Sequence, residues 1–232
     1  LATTAAAGGG WLARQGPTLY DHWWHGEIYD ARRELEEAEA GDWEPAVQMH
    51  PRAGRLTPQT MPPVRVVRDF APVSVWVNPS TAMNRSMVFD FGQNMAGFVT
   101  LTAVGGQTSG TWLKMQHAET LHAPRGYTNN IYYPGMEDRK EFISCSMQEW
   151  YAGLWSECAN QTDQYIFRGG AASESYTPTK TYHGFRYLML YCEPASCPAG
   201  FPHDLPAFNV TAHFAYSDLP VRGDVSTARV AG

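Results

Sequence analysis

Residues 88–101 read VFDFGQNMAGFVTL, a polar, glycine-containing segment between two apolar runs. A phosphate-binding loop needs a glycine-rich backbone that leads into the N-terminus of a helix. The residues that follow here, FVTLTAV, are β-branched and aromatic and predict a strand. We therefore interpret the stretch as strand–turn–strand. In it, Gly92 and Gly97 supply unusual backbone angles, and Asp90, Gln93 and Asn94 bond turn amides.

Similar short runs rich in Val, Phe, Tyr and Thr continue on both sides of this stretch. They read VRVVRDF, VSVWVN, TWLKMQHAE, DQYIFRGG, TYHGFRYLMLYCE and NVTAHFAYSD. Several alternate with period two and are separated by Gly, Pro or Asn, which is typical of strands. The segment TLTAVGGQTSGTWLKM predicts a hairpin. The pattern predicts an all-β fold, an antiparallel, jelly-roll-like β-sandwich.

The chain divides by composition into four predicted parts. Residues 1–15 are an extended N-terminal arm, and the small residues after Leu1 are typical of an internal start. Residues 16–60 are a partial first β-domain with a proline-rich linker, residues 61–221 are the sandwich, and residues 222–232 are a C-terminal tail. Residues 124–162 form one long loop, which is either functional or fastened to the domain.

The four cysteines lie in two sequence-local pairs. Four cysteines allow three pairings, and the short separations favour Cys145–Cys158 and Cys192–Cys197. The first bridge would fasten the long loop. The alternative is four free thiols in a cytosolic protein.

Three Asn-x-Ser/Thr triplets place candidate N-glycosylation sites at Asn84, Asn160 and Asn209. Glycosylation acceptors beside paired cysteines are typical of an oxidising compartment. We therefore expect a secreted, extracellular glycoprotein.

The charge pattern excludes several classes of function. The formal net charge is −6 and lysine occurs only at positions 114, 140 and 180, so no basic stripe for nucleic acid is present. There is no run of 18 apolar residues, so no membrane span is predicted. No metal or cofactor is expected: there is no C-x-x-C motif, and His22 and His25 would face opposite sides of a strand.

No set of residues with catalytic spacing is found. His117 and Glu119 fall on one strand face, an arrangement that we interpret as a cross-strand polar contact rather than an acid–base pair. Arg186, after Gly184 in the run HGFRY, is expected to stack on aromatic rings or to meet a buried carboxylate such as Asp90 or Glu119. Candidate contacts to sugar or a partner are the aromatic residues Trp23, Trp24, Tyr132, Tyr133, Trp150 and Trp155.

Six segments, in order, resemble bacterial-type α-L-rhamnosidases over about residues 11–221: GPTLYDHWWHGEIYDAR, PPVRVV, VFDFGQNMAGFVTL, MQHAETL, TDQYIFRGG and YTPTKTYHGFRYLMLY. The resemblance implies non-catalytic N-terminal sandwich domains. The family's acidic catalytic residues lie in an (α/α)6 barrel that follows this region, so none is carried over. The stretch 129–160 and the run CEPASC look like additions to the family pattern.

Three functions from different classes remain open. In the first, the chain is a non-catalytic extracellular module with a structural role, and it self-associates into fibres by donating its N-terminal arm as a strand. Alternatively it is a carbohydrate-binding module, or a fragment of an active α-L-rhamnosidase whose catalytic residues lie elsewhere.

Overall fold

A computed structural model describes residues 2–5, 10–23, 25–34, 43–47, 54–77, 86–122, 141–143, 161–192, 194–202, 205–219 and 223. Regular structure in these residues consists of strands and three 3₁₀ turns, at Ala31–Arg33, Pro194–Ser196 and Leu205–Ala207. The predicted all-β class is therefore confirmed. No helical segment in the described residues is long and apolar enough to cross a membrane.

The strands are numbered in chain order. The first seven are β1 (Ala2–Ala5), β2 (Trp11–Arg14), β3 (Thr18–His22), β4 (Gly26–Asp30), β5 (Glu44–Pro45), β6 (Val64–Phe70) and β7 (Ser74–Val77). The others are β8 (Ser86–Val104), β9 (Trp112–Ala118), β10 (Thr120–His122), β11 (Glu141–Ile143), β12 (Thr162–Ile166), β13 (Ser173–Tyr176), β14 (His183–Tyr191) and β15 (Phe208–Ser217).

The main sheet is one hydrogen-bonded path, β3-β4-β12-β9-β14-β8-β15-β6, and β7 and β13 also pair with β8. Strand β8 connects two groups of strands. Its beginning pairs with β14 and β7, and its end, from Gly97 onward, pairs with β15 and β13. At 19 residues β8 is roughly three times as long as an ordinary strand. The predicted sandwich is confirmed, and β8 takes part in both groups of strands.

One apolar core lies between these strands. Alternation explains its composition: along β9, Leu113, Met115 and His117 point inward, whereas Trp112, Lys114 and Gln116 are half-exposed. The largest fully buried apolar side chains are Phe91, Phe167, Phe185, Phe201, Met87, Leu101, Leu113, Met115, Leu188 and Leu190.

Two local predictions were wrong. The stretch 88–101 is not two strands joined by a turn; all of it lies within β8, and a register shift in β14 between Phe185 and Tyr187 accommodates the extra residues. The hairpin predicted from TLTAVGGQTSGTWLKM does not form, because β8 and β9 are not neighbours. Residues 105–111 instead connect the end of β8, beside β13 and β15, to a strand beside β12 and β14.

The predicted antiparallel pairing holds throughout the main sheet except between β4 and β12, which are parallel. Parallel neighbours need a long connection, and more than a hundred residues separate these two strands in sequence. Residues 18–22 and 26–30, assigned by sequence to a partial first domain, thus lie in the main sheet as β3 and β4.

Two strands lie within the predicted N-terminal arm. Strand β1 pairs antiparallel with β2, and β2 pairs with β5, in a small sheet of three strands. The described residues of the predicted arm therefore form backbone hydrogen bonds within the chain. The division at residues 60–61 and the tail at 222–232 stay predictions.

Candidate functional site

A cluster of buried polar side chains lies at the inner face of β4, β12, β9 and β14. Glu27, His117, Asp163 and His183 lie on these strands, Tyr176 lies on β13 and Thr181 just before β14, and all six are at most 7% exposed. These residues are far apart in sequence, and they meet because β4 and β14 lie on either side of the β12–β9 pair.

Asp163 of β12 is at the centre of this cluster. Its Oδ1 accepts a hydrogen bond from the backbone N–H of Glu27 at 2.8 Å and from the Thr181 hydroxyl at 2.8 Å. Its Oδ2 lies 3.0 Å from His183 Nε2. Burial by itself raises the pKa of Asp163, but the hydrogen bond from His183, the proximity of His183 and His117, and the N–H of Glu27 together bring that pKa below its usual value. The carboxylate is therefore ionised and fully paired.

Two histidines stack beside this carboxylate. The rings of His117 and His183 are 4.2 Å apart at 28°, and His117 Nδ1 lies 3.0 Å from the carbonyl oxygen of Gln161. Because carbonyl and carboxylate oxygens only accept, we place the protons on His117 Nδ1 and His183 Nε2. Burial, followed by the proximity of His183, lowers the pKa of His117 to about 3. His117 is therefore neutral at ordinary pH.

Glu27 of β4 is the second buried carboxyl group. The Tyr176 hydroxyl donates to Oε1 at 2.9 Å, and the backbone N–H of Lys180 donates to Oε2 at 3.0 Å. Burial raises the pKa of Glu27 despite these bonds. The tyrosine proton is also held firmly, since burial and the neighbouring carboxylates raise the pKa of Tyr176.

His117, Asp163 and His183 present possible ligand atoms within 4.8 Å of one another, a combination that occurs in zinc sites. The geometry argues against a shared ion. Imidazole lone pairs lie in the plane of the ring, and stacked rings direct them side by side rather than toward one point. Both oxygens of Asp163 already accept hydrogen bonds. We interpret the cluster as a polar network that joins four strands, out of reach of a substrate.

A second polar pair lies where β8 and β14 lose their regular register. Arg186 donates from Nε and Nη2 to the two oxygens of Asp90, each at 2.9 Å, and the backbone N–H of Gly92 donates to Asp90 Oδ1 at 2.7 Å. The hydrogen bonds from Arg186 lower the pKa of Asp90. This paired geometry fixes the irregular part of β8 and gives Arg186 a structural role.

The glycines and amides of this stretch have distinct surroundings. Gly92 has φ of +75°, which favours glycine. Gly97 does not have a positive φ; instead, an added Cβ would collide with the carbonyl oxygen of His213 on the neighbouring strand. Asn94 does not bond a turn amide; its side chain donates to Glu119 Oε1 at 3.0 Å. Gln93 is exposed, and an added Cβ at Gly184 would lie 3.3 Å from Glu119 Oε1.

For two pairs of residues, the sequence analysis predicted the wrong strand faces. His22 and His25 do not face opposite sides: their rings stack at 4.3 Å, because residue 25 lies in the turn between β3 and β4. His117 and Glu119 do not share a face, since His117 is fully buried whereas Glu119 is exposed beyond the end of β9.

Of the other candidates, Trp23 is 68% exposed and Asn209 is exposed on β15. The Cys192–Cys197 disulfide is confirmed, with Cα atoms 5.2 Å apart. The remaining predictions fall on Trp24, Asn84, Tyr132, Tyr133, Cys145, Trp150, Trp155, Cys158 and Asn160, all outside the described residues.

Sequence reasoning missed Asp163, Glu27 and Tyr176. Each occupies an inward position of a strand, where a polar residue is unusual. A carboxylate on the buried side of an alternating run would have indicated the cluster. To use this signal, one must know which face of the strand is buried.

Comparison with protein-family models gives two matches. Residues 80–200, just over half of the chain, match the bacterial alpha-L-rhamnosidase concanavalin-like domain. Residues 2–68 match the alpha-L-rhamnosidase N-terminal domain.

Individual relatives agree with the family models. An alpha-L-rhamnosidase of Streptomyces avermitilis is 27% identical over 95% of this chain and 18% of that protein. Two solved structures also match: the alpha-L-rhamnosidase from Dictyoglumus thermophilum (TM-score 0.63, 27% identity, 90% of this chain and 20% of that one) and that of Streptomyces avermitilis complexed with L-rhamnose (TM-score 0.62, 25% identity, 94% and 19%). The chain spans about a fifth of the length of these relatives.

Proposed function

The chain belongs to the bacterial α-L-rhamnosidase family, and from that premise we propose that it is a non-catalytic β-sandwich region of a glycoside hydrolase that cleaves rhamnosides. Its work is structural support for a catalytic unit formed by other parts of the enzyme. This agrees with the third of the functions weighed from the sequence.

The observation that supports this proposal most strongly is the pairing of the buried carboxyl groups. A glycosidase needs two carboxyl groups that flank an accessible sugar, one of them free to give a proton. Asp163 and Glu27 are buried and bonded to neighbouring strands, and Asp90 is held by both nitrogens of its partner Arg186. Each of these three carboxyl groups supports the fold.

A hydrolysis assay tests the absence of catalysis. Purified residues 1–232 should release no nitrophenol from p-nitrophenyl α-L-rhamnoside above a heat-denatured control. Turnover that survives purification to homogeneity would overturn the proposal.

A hybrid enzyme tests the supporting role. Residues 1–232 would replace the matched region of the Streptomyces avermitilis relative. We expect the hybrid to fold and to cleave the same substrate, and we expect the hybrid with Asp163→Ala to lose activity in step with its folded fraction. A hybrid that folds fully but does not cleave would count against interchangeable scaffolding.

Secretion and glycosylation remain part of the proposal. The Cys192–Cys197 disulfide and the exposed position of Asn209 support them. Expression through a eukaryotic secretory pathway should give a mass increase that glycosidase treatment removes, and Asn209→Gln should remove the part due to that site. Fibre formation through the N-terminal arm receives less support, because β1 and β2 are already paired with each other.

A further inference from the structure

A groove crosses the outer face of the strands whose inner face carries the buried cluster. Registered partners form one row across five strands: Tyr20 on β3, Ile28 on β4, Gln164 on β12, Lys114 on β9 and Tyr191 on β14. Adjacent strands are about 4.8 Å apart, so the row is roughly 19 Å long. This is the length of a short oligosaccharide rather than of a single sugar ring.

The groove has the size and surface of a ligand site. Its volume is about 360 Å³, within the range of roughly 300–1,000 Å³ that small-molecule sites have. A tyrosine ring lies at each end of the row, and Gln164 and Lys114 lie between them. Aromatic faces pack on the apolar C–H faces of sugar rings, while amide and ammonium groups bond hydroxyl and carboxylate oxygens.

The charge of the groove indicates the kind of sugar. Among the described residues that line it, Lys114 is the only Lys, Arg, Asp or Glu, in a chain with a formal net charge of −6. Its ammonium lies 5.1 Å from the centroid of the Trp112 ring and 5.8 Å from that of Tyr191. None of the ion pairs between described side chains includes Lys114. Its positive charge is therefore held in place by aromatic rings and not neutralised by a carboxylate of these residues.

We propose that this groove binds an acidic oligosaccharide, with a uronate carboxylate on Lys114, a hydroxyl group on Gln164 and sugar rings packed on Tyr20. The site goes beyond the structural role proposed above. Its test involves no hydrolysis, so either proposal can fail without the other.

The probe is a defined oligosaccharide in which rhamnose and galacturonate alternate, titrated calorimetrically into residues 1–232. The comparison ligand is the same oligosaccharide after chemical reduction of its carboxyl groups. We expect the acidic form to bind and the reduced form to bind about tenfold more weakly, as for the loss of one hydrogen bond to a charged group. Equal affinity for the two forms, or no binding of either, would overturn the proposal.

Variants locate the site. Lys114→Met keeps the apolar part of the side chain and should weaken binding of the acidic form about tenfold while leaving the reduced form unchanged. Lys180→Met is the matched control, because Lys180 is exposed outside the groove, and it should bind like the parent chain. Gln164→Ala should weaken both forms and provides a second variant if Lys114→Met does not fold. Folded Lys114→Met or Gln164→Ala with parental affinity would refute the assigned residues.

Discussion

Two Asp–His pairs with nearly equal geometry occur in different surroundings. In the buried pair, His183 Nε2 is 3.0 Å from Asp163 Oδ2 and the side chains are 1% and 0% exposed. In the surface pair, His213 Nδ1 is 2.8 Å from Asp69 Oδ1 and the side chains are 18% and 62% exposed. The two N–O distances are nearly equal, so they do not indicate which pair contributes more to stability. Water competes for the surface carboxylate, whereas the buried one depends on its protein partners.

The number of partners differs as well. Asp163 accepts from three donors on β4, on β14 and just before β14. Asp69 has one described partner, and His213 also lies 2.7 Å from the hydroxyl of Thr100 through Nε2. A buried carboxylate that accepts hydrogen bonds from several strands thus holds those strands together, whereas a surface carboxylate with one partner does not. Three substitutions and a change of pH test this contrast.

The largest effect is expected for Asp163→Ala. Removing the carboxylate leaves buried donors on Glu27, Thr181 and His183 without their acceptor. The free energy of unfolding should fall by about 3–5 kcal/mol, as for other broken buried pairs. Urea denaturation followed by fluorescence would measure it. A loss below about 1 kcal/mol would mean that the network adds little to stability.

Acidification should weaken the buried region next. The pKa of His117 is lowered from 6.5 to about 3 by burial and by His183, so between these values the unfolded chain binds a proton that the folded chain does not. Stability therefore falls as pH falls, by roughly 2 kcal/mol from pH 7 to pH 5. The raised pKa of Glu27 acts in the opposite direction.

The variant His117→Gln isolates this effect. It should flatten the dependence of unfolding free energy on pH between 7 and 5, whatever its stability at pH 7. An unchanged slope would assign the acid sensitivity to other groups.

A smaller effect is expected for Tyr176→Phe. The change removes only the hydroxyl that donates to Glu27 Oε1 at 2.9 Å and leaves the ring stacked on Tyr165. We expect a loss of about 1–2 kcal/mol in thermal or chemical unfolding. Tyr216→Phe, on the 45% exposed Tyr216, is the matched control and should change stability by less than about 0.5 kcal/mol. Equal losses in both variants would point to a general effect of the substitution.

The smallest effect is expected for Asp69→Ala. The carboxylate is mostly in water, so the unfolding free energy should change by less than about 1 kcal/mol. Added salt should reduce even this difference. A loss comparable to that of Asp163→Ala would show that burial does not distinguish the two pairs.

The sequence predicts local features of this fold well and distant ones poorly. Alternation in Trp112–Ala118 predicts a strand with one buried face, and the spacing of Cys192 and Cys197 predicts their bridge. The parallel pairing of β4 with β12 could not be predicted, because it joins segments more than a hundred residues apart and neither segment encodes its partner.

The residues of the buried cluster were missed because they, too, are far apart in sequence. His117, Asp163 and His183 occur in three separate runs, and only the order of strands brings them together. Gly97 shows a different limit: its pattern predicted an unusual backbone angle, but the requirement comes from a neighbouring strand that lies against its Cα.

Strand β8 has a consequence for how the molecule unfolds. Because one continuous strand supplies hydrogen bonds to β14 and β7 near its beginning and to β15 and β13 near its end, neither group of strands can melt without freeing an edge of the other. The sandwich should therefore lose its amide protection as a single cooperative unit, and hydrogen exchange along residues 86–104 should report one common opening energy.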